Sequence, residues 1–414
     1  MESVYDVVII GGGIVGCSQV FTLTRLGYRC LLLEKEAHLV SMASSGNSGM
    51  LHTGFDAPLG SIELACILRC QQQVLPVIES LGLPYSKIGA TMVAWNDQQK
   101  EKLPQVIQKA KNANMDDVLE LSVSQLYQRE PHVAHRATGA LWIPREAVID
   151  PWLTPISFAH HAKSLGAKVL TSTMVQGCER DSQGIWRVST NRGLFRGRVV
   201  INSAGLYGDV VDKLAGVQKF RIMPRLGQYL VYGSETKSLI NSSILPIPTD
   251  KTKGVIVFKS VYDNVIIGPT QEETERRTNP AGLSPRIMRS LLDHGRVSVP
   301  SLESHPVVNT YSGVRPATET KDYHVVPHTD RNWLTLGGIR STGLSSCLGV
   351  ADMVADIMKD KFCLEPSNSA NMYLPRLDIS FTNHRTARLG SEEYTVTHPI
   401  TYTGKCNSKV WSNL

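Results

Sequence analysis

Gly11, Gly13 and Gly16 follow the apolar run VYDVVII in the order G-x-G-x-x-G, and Glu34 closes a second apolar run, CLLLE, eighteen residues later. Such a set is suited to holding the pyrophosphate of a dinucleotide. Gly11 permits a tight turn, Gly13 lets the backbone approach the phosphates, and Gly16 lets a helix pack on the preceding strand. The first helical residues, Ile14 and Val15, present N–H groups and the positive end of the helix dipole to the anion. Glu34 is placed to accept hydrogen bonds from ribose hydroxyls, and its charge disfavours a 2′-phosphate.

The elements that must position these residues follow from periodicity. Val7–Ile10 reads as a buried strand, Gln19–Leu26 as an amphipathic helix and Cys30–Leu33 as a second strand. Two further crossings from strand to glycine turn to helix appear downstream. One is RVVINSAGLYGDVVDKLAG (198–216), with Ala204 and Gly205 at the turn and Asp209 in the first helical turn. The other is WLTLGGIRSTGLSSCLGVADMVADIM (333–358), with Gly338 and Gly343 at the turn. One glycine turn fits NAD or FAD equally, but a nicotinamide enzyme needs neither later crossing, so the three together favour FAD.

Between them the reading is mixed. Residues 62–81 read as one helix that Pro76 should kink, 83–100 as a strand pair, 97–115 as a charged helix and 121–130 as a short helix. Residues 154–165 read as a helix, 168–170 as a strand, and 185–190 with 193–198 as a hairpin. PRLGQYLVYG, GVIVFKS and NVIIGP read as strands, TQEETERRTNPAG as a polar loop and 284–294 as a helix. Residues 42–55, MASSGNSGMLHTGF, are too polar and glycine-dense for a helix interior. Beyond Pro366 no periodicity is evident. The expected fold is α/β: a discontinuous Rossmann-like FAD-binding domain (1–80, 150–215 and 325–365) and a second, mixed-sheet α+β substrate domain (81–149 and 216–324). Residues 366–414 form a C-terminal extension.

Bulk properties narrow the classes. The 414 residues allow two or three domains. With 42% hydrophobic and 19% charged residues, neither disorder nor a fibrous repeat is indicated. The net charge of +6 is spread along the chain, which mildly favours anionic small molecules and does not argue for nucleic acid. No apolar run is long enough to span a bilayer, and the first strand begins within a few residues of Met1, leaving no room for a targeting peptide. The eight cysteines show no paired or metal-binding spacing and suggest reduced thiols. HExxH and GxSxG are absent, so metal hydrolase and serine hydrolase readings are dropped and no metal is expected. The final tripeptide, Ser412-Asn413-Leu414, is similar to a peroxisomal address with Asn in place of the basic residue. It suggests a peroxisomal import receptor as a partner, leaving peroxisome or cytoplasm as the expected location.

The sequence resembles the FAD-dependent oxidoreductases that include D-amino-acid oxidase, glycine and sarcosine oxidases, L-2-hydroxyglutarate dehydrogenase and FAD-dependent glycerol-3-phosphate dehydrogenase. The residues that carry the resemblance are GGGIVG with Glu34, SSGNSGMLHTGFDAPLGS (44–61), VVINSAGLYGD (199–209), PRLGQY (224–229), SGVRPAT (312–318) and LGGIRSTGLS (336–345). NSGMLHTG is similar to the hydroxy-acid and glycerol-phosphate branches and unlike the amine-oxidising one. GIRSTGLS departs from the lysine-containing turn of many glycerol-3-phosphate dehydrogenases. No cysteine matches the covalent flavin attachment of sarcosine oxidases, which implies non-covalent FAD.

The resemblance implies a cofactor shell of Gly11, Gly13, Ile14, Val15, Gly16, Glu34, Lys35, Ser45, Asn47, Ser48, Val175, Ala204, Gly205, Gly313, Gly338, Ser341, Thr342 and Gly343. An alcohol donor must lose its hydroxyl proton as a hydride leaves its carbon, and His52, an imidazole titrating near neutrality, is the candidate base. The alternative is a structural histidine that hydrogen-bonds the flavin or a loop carbonyl. Arg315 resembles the family's grip on an anionic substrate, its planar fork suiting carboxylate or phosphate. Arg225, Arg340 and Tyr229 are candidate substrate contacts, and Gln228 and Tyr323 lesser ones. The expected reaction is oxidation of a small anionic L-2-hydroxy acid, such as L-2-hydroxyglutarate, to the 2-keto acid, with oxygen, a quinone or another carrier as electron acceptor. The alternatives are glycerol-3-phosphate oxidation, amine oxidation and a flavoprotein assembly module without turnover.

Overall fold

A computed structural model describes residues 4–248 and 254–407. The tripeptide 412–414 lies outside the described residues. Two large sheets organise the chain. The first has a parallel centre, in the order Lys168–Leu170, Cys30–Leu33, Val4–Ile10, Gly193–Asn202 and Trp333–Gly337. His324–His328 extends it antiparallel at one edge, and the hairpin Val175–Arg180/Trp186–Thr190 pairs with the first half of Gly193–Asn202. Both faces are covered, as a parallel sheet requires. The helices Ile14–Arg25, Leu153–Ser164 and Gly343–Asp360 contribute to one hydrophobic cluster with Val7, Ile9 and Val199. All three glycine turns leave the carboxyl ends of parallel strands, where ligands of such sheets bind.

The second sheet has nine strands, with Arg225–Tyr232 at its heart between Val307–Arg315 and Val265–Gly268. Ile256–Lys259, Ser243–Pro246, Ala90–Ala94, Gly139–Ile143 and Leu119–Leu121 continue it. A small sheet of Met50–Leu51, Ala147–Ile149 and Tyr85–Ser86 lies in the intervening segments.

Several local expectations change. Residues 62–81 form two helices, Ile62–Gln71 and Val74–Leu81, and Pro76 falls in the first turn of the second, where a missing N–H costs no hydrogen bond. The 97–115 helix is also two, Asp97–Lys100 and Leu103–Asn112, with Pro104 at the second start. The predicted strand pair at 83–100 is two strands in different sheets. The arm 193–198 and the buried strand after it are one strand, Gly193–Asn202. The 284–294 helix runs from Pro285 to Ser298.

The largest change is the C-terminal extension. It contains a meander, Ile379–Asn383, Thr386–Leu389 and Glu392–Thr395, and a helix, Pro399–Asn407. Short strands with few apolar residues give little periodicity, but Ala387, Leu389 and Val396 are buried in the core of the first sheet. Among the described residues no helix is long and apolar enough to cross a membrane.

The two sheets are tied by an ion pair between buried Asp209 and half-buried Arg277. Arg277, from the polar loop after Gly268, meets Asp209 with both guanidinium nitrogens, at 2.6 and 2.9 Å, and also donates to the Leu206 carbonyl. Burial pushes the Asp209 carboxyl up, but Arg277 and the N–H groups of Ile222 and Val210 outweigh it and hold it below the ordinary aspartate range. The pair therefore stabilises the fold at neutral pH, and its contribution is lost as the pH falls through the depressed folded value. Arg277→Ala should cost about 2–3 kcal/mol in denaturant melts at neutral pH. The difference from the parent should shrink in acid.

Candidate active site

The glycine turn has the geometry expected of a phosphate cradle. Gly11 sits at φ +108°, and a Cβ there would lie 2.5 Å from the Ser203 carbonyl oxygen. A Cβ on Gly16 would lie 1.8 Å from the Gly11 oxygen, so the helix packs directly on the turn. Gly13 precedes the helix without a side-chain cap, and the first helical turn carries no acidic residue. A glycine-lined helix N-terminus with no acidic residue fits an anion, although the Ile14 N–H that the sequence assigned to it is taken by a side chain of the protein. Ser44, not singled out from sequence, reaches this turn from the 42–47 loop, its Oγ accepting the Ile14 N–H at 3.0 Å.

Glu34 is buried and accepts the N–H groups of Gly12 (2.6 Å) and Glu36 (2.7 Å), one on each oxygen. Burial raises its pKa, and those N–H groups only partly oppose the rise. Each carboxylate oxygen has a second lone pair, so ribose hydroxyls can still be accepted. Lys35 lies over the Tyr207 ring with its Nζ 4.3 Å from the centroid, beside the Ala204-Gly205 turn. Val175 starts an edge strand at a bulge. Two residues earlier, the Thr173 N–H donates to the Glu34 carbonyl.

Other candidate cofactor residues are committed to the protein itself. Ser45 Oγ donates to the Met42 carbonyl, and the Asn47 side chain bridges the Ser44 carbonyl and the Gly49 N–H. Their side chains shape the loop, which leaves its backbone as the surface open to a ligand. Gly313 is explained by packing: a Cβ there would lie 2.3 Å from the Gly46 oxygen, and one on Gly46 would lie 2.2 Å from the Gly313 Cα. Thr342 is buried, donating to Glu63 Oε1 at 2.6 Å and bonded to the Tyr323 hydroxyl. Tyr323 is thereby a structural residue. Gly338 takes a positive φ of 66° at the third turn, and Ser341 is exposed beside Thr342. Ser48 is half-buried in the same loop as Asn47.

His52 follows the short strand Met50–Leu51, and its N–H donates to Ser345 Oγ in the first turn of the Gly343–Asp360 helix. Its Nδ1 lies 3.0 Å from Oε2 of Glu146, whose other oxygen accepts the Thr53 N–H at 2.7 Å and the Thr53 hydroxyl at 3.0 Å. Glu146 is fully buried, whereas the imidazole is about a quarter exposed. With the proton on Nδ1 and directed at the carboxylate, Nε2 carries the basic lone pair. Glu146 was not predicted. In LWIPREAVI it reads as a charge in a turn, and such charges usually face solvent.

Arg315 ends the strand Val307–Arg315, directly opposite Arg225 in the antiparallel register. Its guanidinium lies across Gly227, where a Cβ would sit 2.2 Å from the nearer nitrogen, and it donates to the Thr270 carbonyl at 3.2 Å. Tyr229 shares that face. Burial pushes its hydroxyl up, opposed by the nearby Arg315, so it remains a neutral donor. Tyr229 stacks on Tyr311 at 4.4 Å between centroids. Gln228 lies on the opposite face and bonds Thr270. Arg340 differs from expectation: it pairs with buried Glu63 at 3.6 Å, which draws its charge toward the helix Ile62–Gln71 and away from a substrate role. Gly227, Glu63 and Glu146 are missed, as is Ser44. Only Gly227 left a signal, as a glycine inside a strand.

Comparison with known proteins identifies the class. Residues 6–357 match the DAO family, FAD dependent oxidoreductases, and the chain belongs to that family. It is 29% identical over 378 residues to glycerol 3-phosphate oxidase of Mycoplasma pneumoniae, covering 89% of this chain and 98% of that protein. It is 25% identical over 365 residues to the mitochondrial L-2-hydroxyglutarate dehydrogenase of Caenorhabditis briggsae, covering 84% of each. Among solved structures, dithionite-reduced L-alpha-glycerophosphate oxidase of Mycoplasma pneumoniae with FAD bound superposes with a TM-score of 0.82 at 28% identity. That match spans 90% of this chain and all of the other. The protein is an FAD-dependent oxidoreductase.

Gly227→Ala removes the space that Arg315 occupies without touching the glycine turns. The variant should bind FAD normally and lose affinity for an anionic substrate. We expect the KM to rise at least about tenfold, as for loss of a charge-assisted hydrogen bond, while a full flavin complement is retained. Steady-state kinetics alongside a flavin-to-protein absorbance ratio checks both.

Proposed function

We propose that this enzyme oxidises the secondary hydroxyl of glycerol 3-phosphate to a ketone. The supporting observation is the opposition of Arg225 and Arg315 on one sheet face beside Tyr229. Two arginines opposed on one face, with the Arg315 guanidinium reaching over Gly227, suit a single dianionic head group, which a phosphate monoester is at neutral pH. L-2-hydroxyglutarate carries its two carboxylates at opposite ends of a five-carbon chain and needs cations in two places. The similarity to glycerol 3-phosphate oxidase points the same way.

The residues divide the work. Arg315, seated over Gly227, grips the phosphate with Arg225, and the neutral Tyr229 hydroxyl donates to it. His52 takes the hydroxyl proton at Nε2 as the C–H bond breaks. Glu146, accepting from Nδ1, fixes the tautomer and stabilises the imidazolium that forms. The three glycine turns would hold FAD, which would supply the two-electron acceptor for the carbinol carbon. Ser345 and Thr53 keep the His52–Glu146 pair in place through backbone and carboxylate contacts.

L-2-hydroxyglutarate is the second reading, supported by the similarity to its dehydrogenases. Anaerobic mixing of the holoenzyme with each compound discriminates them: glycerol 3-phosphate should bleach the flavin band, and bleaching by the hydroxy acid alone would replace this reading. His52→Ala should slow anaerobic flavin reduction by about 10²-fold or more. Glu146→Gln should slow it less and move its pH dependence. Unchanged reduction in His52→Ala would remove the imidazole from the reaction.

A further inference from the structure

The family match ends at residue 357, yet the following chain is folded onto the cofactor loop. Residues 366–378 first run along the dinucleotide domain. Asn368 N–H donates to the Gly27 carbonyl, Asn371 N–H to Arg25 and Leu377 N–H to Leu81. After the meander, the chain turns in towards the loop that begins at Val40.

Two contacts meet that loop, one direct and one through Tyr311. Thr397 Oγ donates to the Val40 carbonyl at 2.7 Å. His398 is fully buried with its ring edge-on to Tyr311, and the Tyr311 hydroxyl donates to the Asn47 carbonyl at 3.2 Å. Burial drives the His398 imidazole down to about 3, only partly opposed by the Asn47 backbone, so it packs as a neutral ring. Thr401 and Thr403 anchor the segment, Thr401 donating to Asp150 and Thr403 accepting from Asn309.

Val40 explains why such a brace is needed. It holds φ +59°, a conformation that a β-branched residue strongly disfavours. Its N–H donates to the Gly12 carbonyl inside the glycine turn. Leu39, Val40 and Leu51 share a core cluster with Ala387, Leu389 and Val396. A strained residue persists only where its surroundings over-determine it. Here one neighbour is the fingerprint turn and the other is the C-terminal segment.

We propose that residues 396–403 form a positioning brace for the cofactor loop 40–47, setting FAD affinity by holding Val40 and Asn47 in the binding-competent conformation. A ligand that binds one conformation loses apparent affinity in proportion to that conformation's population. The brace thus acts on FAD binding and is independent of which alcohol is oxidised.

The test uses the full chain with Thr397→Val, which keeps the side-chain shape and removes the donor, and Thr397→Ser, which keeps the donor. FAD affinity is read by titrating apoprotein, following quenching of flavin fluorescence. Loop order is read by amide hydrogen exchange, and stability by the melting temperature of the apoprotein. Thr397→Val should weaken FAD binding about fivefold and speed exchange across 40–47, with little change in melting temperature. Thr397→Ser should behave as the parent. Unchanged FAD affinity in Thr397→Val would overturn the proposal. So would faster exchange throughout the chain with a matching drop in melting temperature, which would mark the segment as ordinary core.

Discussion

The backbone of the 43–46 turn lies against the strand Val307–Arg315 at Gly46 and Gly313, with no room for a Cβ on either. This crossing joins the two halves of the enzyme. The turn is continuous with the dinucleotide sheet and leads to His52, while the strand ends in Arg315. The proposed base and the proposed anion grip are therefore set by one backbone contact, whose rigidity comes from the absence of side chains between the two segments. Asn279 reinforces it by donating to the Met42 carbonyl and accepting the Val314 N–H.

Buried carboxylates then assign roles to the basic side chains around the cofactor region. Asp209 takes Arg277, Glu63 takes Arg340, and Glu146 takes His52. Removing a charge from water is costly unless it is paired or hydrogen-bonded. Each carboxylate accordingly draws its partner into one geometry. Arg315 has a carbonyl and a tyrosine beside it, and its register partner is another arginine. On its other side Arg225 faces Glu273 in the ladder, so in the proposed reading an anionic substrate is the counter-charge for Arg315.

Much of the cofactor half was legible in the residues. Glycine spacing reports a steric need that acts within a few residues, and the φ of Gly11 and the close packing of Gly16 meet it directly. The strands 4–10, 30–33 and 168–170 were legible because each is a compact run. The extension was not. Its strands expose alternate residues to solvent, and its apolar side chains are too few to form a pattern until the first sheet supplies the other half of the core. Ser45, Asn47 and Thr342 were expected at the cofactor, but polar side chains at a turn satisfy a neighbouring group of the protein as readily as a ligand: backbone for Ser45 and Asn47, Glu63 for Thr342.

The sequence by itself determined the cofactor class and the parallel sheet that carries it, because strand periodicity and glycine turns are short-range constraints. Tertiary structure alone decided which charges meet. Glu146 is 94 residues from His52, and Arg340 is 277 from Glu63. Charge pairing depends on distances across the fold, which no spacing along the chain records. The same holds for Thr397 and Val40, where a strained residue and its brace are brought together only when the end of the chain returns to its beginning.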